Sequence, residues 1–185
     1  MRIFLIGMKH VGKSTVGRLL AQRRGLRFLD LDDRILEAAS AYTPRPLGSP
    51  RDVYQLLGAE KFREIEAGEL RSLCRDRETA DAVIALGGGA AEHESAHATL
   101  SGAGTIVYLR EDLARVWQRV LRRGIPAYLS DPEPEREFME LARRREKRFL
   151  ELADLVVELG GTSSEDATAR VDQALQEYES QHSGA

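Results

Sequence analysis

Short apolar runs alternate with amphipathic stretches along most of the chain. Ile3-Phe4-Leu5-Ile6 follows Arg2 and stops at Gly7, as a strand buried on both faces does. Over Lys13–Arg24 the apolar positions Val16, Leu19 and Leu20 recur at helical spacing, and Gly25 follows as a C-cap. Leu26–Leu29 is a second strand. Ser40–Arg51 carries Pro44, Pro46, Gly48 and Pro50, and reads as a loop. Glu60–Cys74 returns to helix, with Phe62, Ile65, Leu70 and Leu73 on one face. Ala82–Leu86 is a third strand, closed by Gly87-Gly88-Gly89, and Thr105–Leu109 is a fourth, followed by a helix over Leu113–Leu121. Gly124–Pro134 is a Pro-rich loop, Glu135–Leu152 a long charged helix, Leu155–Val157 a last strand and Glu165–Glu179 a closing helix.

Strands that alternate with helices predict an α/β fold of three layers, with a doubly wound parallel sheet of about five strands. Such a sheet binds ligands beyond the carboxyl ends of its strands. The 185 residues fit one domain, expected over 1–179, with a disordered tail over 180–185.

Composition narrows the function. A net charge of -3 gives no footing for nucleic acid, whose binding rests on clustered basic residues. Cys74 is the only cysteine, so no internal disulfide argues for secretion, and a chain without Asn has no N-glycosylation site. The apolar run at Ile3–Ile6 is too short for a membrane span or a signal-peptide core. A cytoplasmic monomer acting on small molecules is the default expectation.

Gly7-Met8-Lys9-His10-Val11-Gly12-Lys13-Ser14 has two glycines, four residues between them, then Lys and Ser, directly after a strand and opening a helix. This is the P-loop pattern. Backbone N–H groups over Gly7, His10, Val11, Gly12, Lys13, Ser14 and Thr15 would cradle nucleotide phosphates. Lys13 would reach the β and γ phosphates, and the Ser14 hydroxyl would hold Mg²⁺. His10 reads as a spacer, since the motif asks for no imidazole. A GTPase would need an Asn-containing guanine motif that this chain cannot supply. The third strand ends in glycines rather than the acidic pair of a motor ATPase. Both absences point to an ATP-dependent small-molecule kinase.

Asp30-Leu31-Asp32 follows the second strand. In an extended segment alternate side chains share a face, so both carboxylates would point into the cleft. The alternative is that Asp32 or Asp33 caps a helix beginning near Arg34. In Phe62-Arg63-Glu64-Ile65-Glu66, Arg63 and Glu66 share a helix face and can pair.

An early P-loop, Asp-x-Asp after strand two, Phe-Arg-x-x-Glu on a helix and Leu-Gly-Gly-Gly after strand three, in that order, resemble shikimate kinase. The resemblance runs from Arg2 to about Leu159. It implies that Asp30 lies near Mg²⁺ and that Asp32 binds the acceptor hydroxyls as the catalytic carboxylate beside Lys13. It also implies that Arg63 binds the acceptor carboxylate and that the Gly87-Gly88-Gly89 backbone meets the substrate. Among Arg143, Arg144, Arg145, Lys147 and Arg148, the resemblance singles out Arg145 as a second carboxylate ligand; the others read as a solvated helix face.

Two features depart from the family. Ser40–Arg51, within the acceptor-binding segment of about 32–75, is longer than the usual connection. In the lid, expected over about 122–134, Ile125-Pro126 stands where the family carries Arg-Pro, so Arg123 is expected to supply the lid cation, with Arg122 the alternative. The reaction implied is transfer of the γ-phosphoryl group of ATP to a hydroxyl of shikimate. The rivals are another small acceptor, such as a sugar acid or a nucleoside monophosphate, and a nucleotide-binding homologue of weakened catalysis.

Overall fold

The computed structural model describes residues 1–92, 94–125, 129 and 132–182. A five-stranded parallel sheet forms its centre: β1 (Arg2–Ile6), β2 (Arg27–Asp30), β3 (Ala82–Ala85), β4 (Thr105–Arg110) and β5 (Leu155–Glu158). Their order across the sheet is β2-β3-β1-β4-β5. β1 leads outward to β2, whereas its neighbour β3 crosses to β4 on the other side. Loops after these two strands therefore leave in opposite directions and open a crevice at their carboxyl ends.

The alternation of side chains along the strands builds two cores. Phe4 and Ile6 point to one face, where they meet Ile84, Ile106, Trp117, Phe138 and Phe149. Ile3 and Leu5 point to the other, against Val16, Leu20, Val83, Val107, Val171 and Leu175. Helices α1 (Lys13–Arg24) and α7 (Ser164–His182) cover the second face. Helices α2 (Leu31–Ala39), α3 (Pro50–Arg75), α4 (Glu94–Leu100), α5 (Leu113–Arg123) and α6 (Pro134–Leu152) lie on the side of the first core.

The sequence-based expectations need correction in four places. α2 begins directly after β2, because Asp30 caps it by accepting from the Asp32 amide. The expected loop over Ser40–Arg51 holds a 3₁₀ turn at Ser40–Tyr42, and α3 starts at Pro50, ten residues before the helix read from periodicity. Ser49 caps that start by accepting from the Asp52 amide, and Pro50 at the first helical position lacks only an N–H that needs no partner there. Gly58, at φ 80° and ψ 169°, breaks α3 into two stretches. α5 runs through Arg122 and Arg123, so these lie on a helix rather than in a lid loop, and α7 continues to His182, into the expected tail. Residues 126–128, 130 and 131 of the expected lid, and 183–185 of the tail, lie outside the described residues; Leu129 is buried in the first core.

Two helix glycines give opposite predictions. A Cβ on Gly17 in α1 would stand 2.5 Å from Phe28 Cε2 and 3.2 Å from Leu5 Cδ1, so the helix seats on the sheet only because that atom is missing. A Cβ on Gly68 in α3 would meet nothing within 4 Å. Gly68→Ala is expected to stabilise by about 0.5–1 kcal/mol through helix propensity. Gly17→Ala is expected to destabilise by about 1–3 kcal/mol, the cost of overpacking. Thermal unfolding of both variants checks this; a raised Tm for Gly17→Ala would contradict the packing.

Candidate active site

The P-loop joins β1 to α1 at the mouth of the crevice. Its backbone uses left-handed conformations at Gly12 (φ 114°) and at His10 (φ 66°), a region that side chains rarely enter. Among the described residues no side chain caps α1, so the amides of its first turn stay available to an anion. Lys13 is buried and folded back on the loop, donating to Gly7 O at 2.9 Å and Met8 O at 3.0 Å. Burial pulls its ammonium down to about 8; Asp32 and Asp30 oppose the shift, and Arg145 and Lys9 reinforce it. His10 is pulled down to about 4, first by burial and then by the charges of Lys9, Arg123 and Lys13, so its ring is neutral at pH 7.

At the end of β2 the Ser14 hydroxyl donates to Asp30 Oδ2 at 2.6 Å, while Asp30 Oδ1 caps α2. The segment Asp30–Asp32 is therefore not extended as expected, and neither Asp32 nor Asp33 is the cap. Asp32 sits in the first turn of α2, where burial, and then Asp30, raise its pKa against the opposing charges of Lys13 and Lys9.

The Gly87-Gly88-Gly89 turn leaves β3 and crosses between these groups. A Cβ on Gly87 would stand 2.8 Å from Asp32 Oδ1 and 3.7 Å from Glu66 Oε1. On Gly88 it would meet the Lys9 amide at 3.1 Å, and on Gly89 the Nη2 of Arg145 at 3.4 Å. On α6, Arg143, Arg144, Lys147 and Arg148 are exposed, while the Arg145 side chain is 12% exposed and pairs through Nε with Glu92 at 3.0 Å. Arg63 is exposed on α3 and forms no ion pair with Glu66 among the described residues, contrary to the pairing expected from their spacing. Both instead line a cleft of about 240 Å³ with Ala67, Leu70, Ala90, Ala96 and Thr99. A larger open groove of about 610 Å³ at Trp117, Leu121 and Pro134 contains none of the groups gathered at the glycine turn.

A family profile described as shikimate kinase matches residues 9–176. The shikimate kinase of Chlamydia pneumoniae is 33% identical over 156 residues, covering 84% of this chain and 85% of that protein. The chain belongs to the shikimate kinase family. The shikimate kinase of Stenotrophomonas maltophilia is 32% identical, covering 91% of this chain and 88% of that one. Among solved structures, shikimate kinase from Acinetobacter baumannii in complex with shikimate aligns at a TM-score of 0.82 and 27% identity, covering 96% of this chain and 94% of that one. The enzyme from Aquifex aeolicus aligns at a TM-score of 0.77 and 25% identity, covering 96% and 98%. Membership of the shikimate kinase family makes this chain a kinase with ATP as its phosphoryl donor. Among the described residues, no helix is long and apolar enough to cross a membrane.

Three members of the site escaped sequence reasoning. Arg119 on α5 donates to Val11 O at 3.0 Å and to His10 O at 3.4 Å, bracing the P-loop from outside, and pairs with the buried Glu111 at 3.1 Å. Its position four residues before Arg123, on the same helix face, was the available signal. Glu92 has no such signal, because it reaches α6 across the fold. Glu66 enters the sequence reading only as a partner for Arg63 within Phe-Arg-x-x-Glu; it is buried, and burial together with Asp32 pushes its carboxyl up to about 7, against Arg145 and Arg63.

The Glu66 shift has a definite consequence for stability. Its ordinary value is 4.5, so between about 4.5 and 7 the folded state binds more protons here than the unfolded state. Stability from this group is complete below that window and is lost as pH rises through it. Glu66→Gln removes that dependence. We expect the variant to gain Tm relative to the parent as pH rises from 5 to 8; an identical pH profile for the two proteins would contradict the burial of an ionisable carboxyl at this position.

Proposed function

We propose that this kinase transfers the γ-phosphoryl group of ATP to a hydroxyl of shikimate, with Lys13, Asp32, Arg63 and Arg145 as the principal side chains. The observation that carries the reading is the convergence of Asp32, Arg145 and the P-loop on one glycine turn. The P-loop amides and Lys13 would hold the β and γ phosphates, whose negative charge compensates the cost of burying the ammonium. Arg63 and Arg145 would fix the acceptor carboxylate, and the Gly87–Gly89 backbone would meet the ring. Asp32 would take the hydroxyl proton as the acceptor oxygen bonds to phosphorus and the bridging oxygen leaves with ADP. A raised pKa suits that task, since it makes the carboxylate a better proton acceptor.

The donor set also fits Mg²⁺. Among the described residues no cluster of three or more His, Cys, Asp or Glu is placed to hold a metal. A nucleotide-bound Mg²⁺ needs only one or two protein oxygens besides phosphates and water, and Ser14 Oγ with Asp30 Oδ2 supplies them. When bound, the ion would neutralise charge on the phosphates. The enzyme is proposed to act as a monomer in the cytoplasm, a reducing compartment in which its free Cys74 thiol would persist.

ADP release measured against shikimate, sugar acids and nucleoside monophosphates tests the acceptor. Shikimate should exceed the others by orders of magnitude; preference for a nucleotide would assign Arg63 and Arg145 to phosphate instead. Lys13→Ala should abolish transfer. Asp32→Asn should cut kcat by about 10²–10⁴-fold while ATP affinity holds; ATP affinity that collapses with turnover intact would remove Asp32 from the acceptor.

Arg123 is proposed as the lid cation in place of Ile125. After burial and Lys9, its charge contributes to the lowering of His10, so it lies within electrostatic reach of the P-loop, whereas Ile125 is 41% exposed and offers only apolar contact. A cation aimed at the transferring phosphate contributes roughly 10³–10⁵ in rate in related enzymes. Arg123→Ala should therefore depress kcat strongly and Arg122→Ala weakly. Wild-type kcat in both variants, with a steep gain in Ile125→Arg, would mean that no substitute cation operates here.

A further inference from the structure

The carboxylate of Glu92 bridges two arginines adjacent on α6. Its Oε2 accepts from Arg145 Nε at 3.0 Å; its Oε1 accepts from Arg144 Nε at 3.2 Å and Nη2 at 3.1 Å. The two partners differ in setting, since the Arg144 side chain is 69% exposed and that of Arg145 only 12%. Glu92 stands on a firm element. It ends the 3₁₀ turn Ala90–Glu92, its amide donates to Gly89 O at 3.0 Å, and Ala90 and Ala91 are buried in the core. The turn continues the glycine segment that meets Asp32 and the P-loop, so Glu92 is fixed to the same backbone as the centre of the site. Partial burial disfavours its charge, but the charges and hydrogen bonds of Arg145 and Arg144 prevail and hold the carboxyl below its ordinary value.

The contact with Arg145 uses Nε alone. Among the described residues the two terminal nitrogens of that guanidinium make no hydrogen bond, and Nη2 lies 3.4 Å from where a Cβ of Gly89 would stand. The tether grips one edge of the fork and leaves the other toward the glycine turn. A long side chain immobilised beforehand loses less freedom when its ligand arrives, and a fork held in plane favours bidentate capture of a carboxylate. Two guanidinium charges against one carboxylate leave the trio net positive, so an incoming anion is still attracted.

We infer that Glu92 is a positioning residue of the acceptor site: by holding Arg145 through Nε, it presents the terminal nitrogens to the acceptor's carboxylate. This rests on the proposed assignment of Arg145 to that carboxylate.

Steady-state kinetics of the wild type, Glu92→Ala, Arg145→Ala and the double variant, with shikimate and ATP, test it. Glu92→Ala should raise the shikimate KM roughly ten-fold, the scale of one charge-assisted hydrogen bond, with kcat and the ATP KM within about two-fold. In the Arg145→Ala background the same change should add almost nothing, because its only route to the acceptor is gone. Glu92→Gln, which keeps the shape, should give a smaller rise in the same KM and guards against a misfolded Ala variant. An unchanged or lowered shikimate KM in folded Glu92 variants would overturn the inference, as would an effect fully additive with Arg145→Ala or an equal rise in the ATP KM. A wild type inert toward shikimate would overturn the acceptor assignment and this inference together. Wild-type turnover with unresponsive Glu92 variants would overturn this inference alone.

Discussion

The close passage of the Gly87–Gly89 backbone between Asp32, the Lys9 amide and Arg145 is the constraint on which the site depends. β1 and β3 are hydrogen-bonded neighbours, so the loops that leave them start side by side and must share one crevice. A side chain at Gly87 would strike the Asp32 carboxylate, and one at Gly88 would press on the P-loop backbone. Without side chains, the turn brings the P-loop, the proposed proton acceptor and the proposed carboxylate ligand within reach of one small molecule. The sheet order supplies the crevice; the missing Cβ atoms keep it narrow, as orienting the two proposed substrates would require, and orientation is most of what phosphoryl transfer requires of a protein.

The site concentrates charges whose burial its proposed ligands would offset. Among the described residues Lys13 has only carbonyl hydrogen-bond partners; it is buried and pulled down to about 8, while Glu66 is pushed up to about 7 and Asp32 is raised as well. Phosphate beside Lys13 would favour its charged form, and a hydroxyl beside Asp32 would give that carboxylate a donor. The strain is concentrated where the chemistry is proposed to occur, and it is supported by a second ring of contacts. Arg119 braces the P-loop carbonyls, Asp30 holds Ser14, and Glu92 holds Arg145.

Most of this was legible in the sequence where local backbone chemistry dictates residue type. Gly12, Lys13 and Ser14 announce an anion-binding helix start, and the strands announce themselves by apolar runs bounded by glycine. Legibility failed where a feature depends on contacts between distant segments. The Asp30-Leu31-Asp32 spacing fits strand alternation and a helix cap at Asp32 or Asp33 equally well, and in the fold it is Asp30 that caps the helix, a competition that spacing alone leaves open. Pro50 looked like a loop residue and is a helix start, because Ser49 caps that end. Arg63 and Glu66 have the spacing of a surface pair, but the fold buries one and exposes the other. Glu92 and Arg119 become visible only once the Ala90–Glu92 turn, the helices and the P-loop are brought together across the sheet.

We propose that this kinase recognises its acceptor through a carboxylate held by Arg145 beside the glycine turn. The most direct test is kcat/KM for shikimate against shikimate methyl ester, in the wild type and in Arg145→Ala. The ester keeps the ring and hydroxyls and loses only the charge. We expect a loss of roughly ten-fold or more for the ester in the wild type, the scale of a charge-assisted hydrogen bond, and nearly equal use of acid and ester in Arg145→Ala. Equal use of the two by the wild type would contradict it.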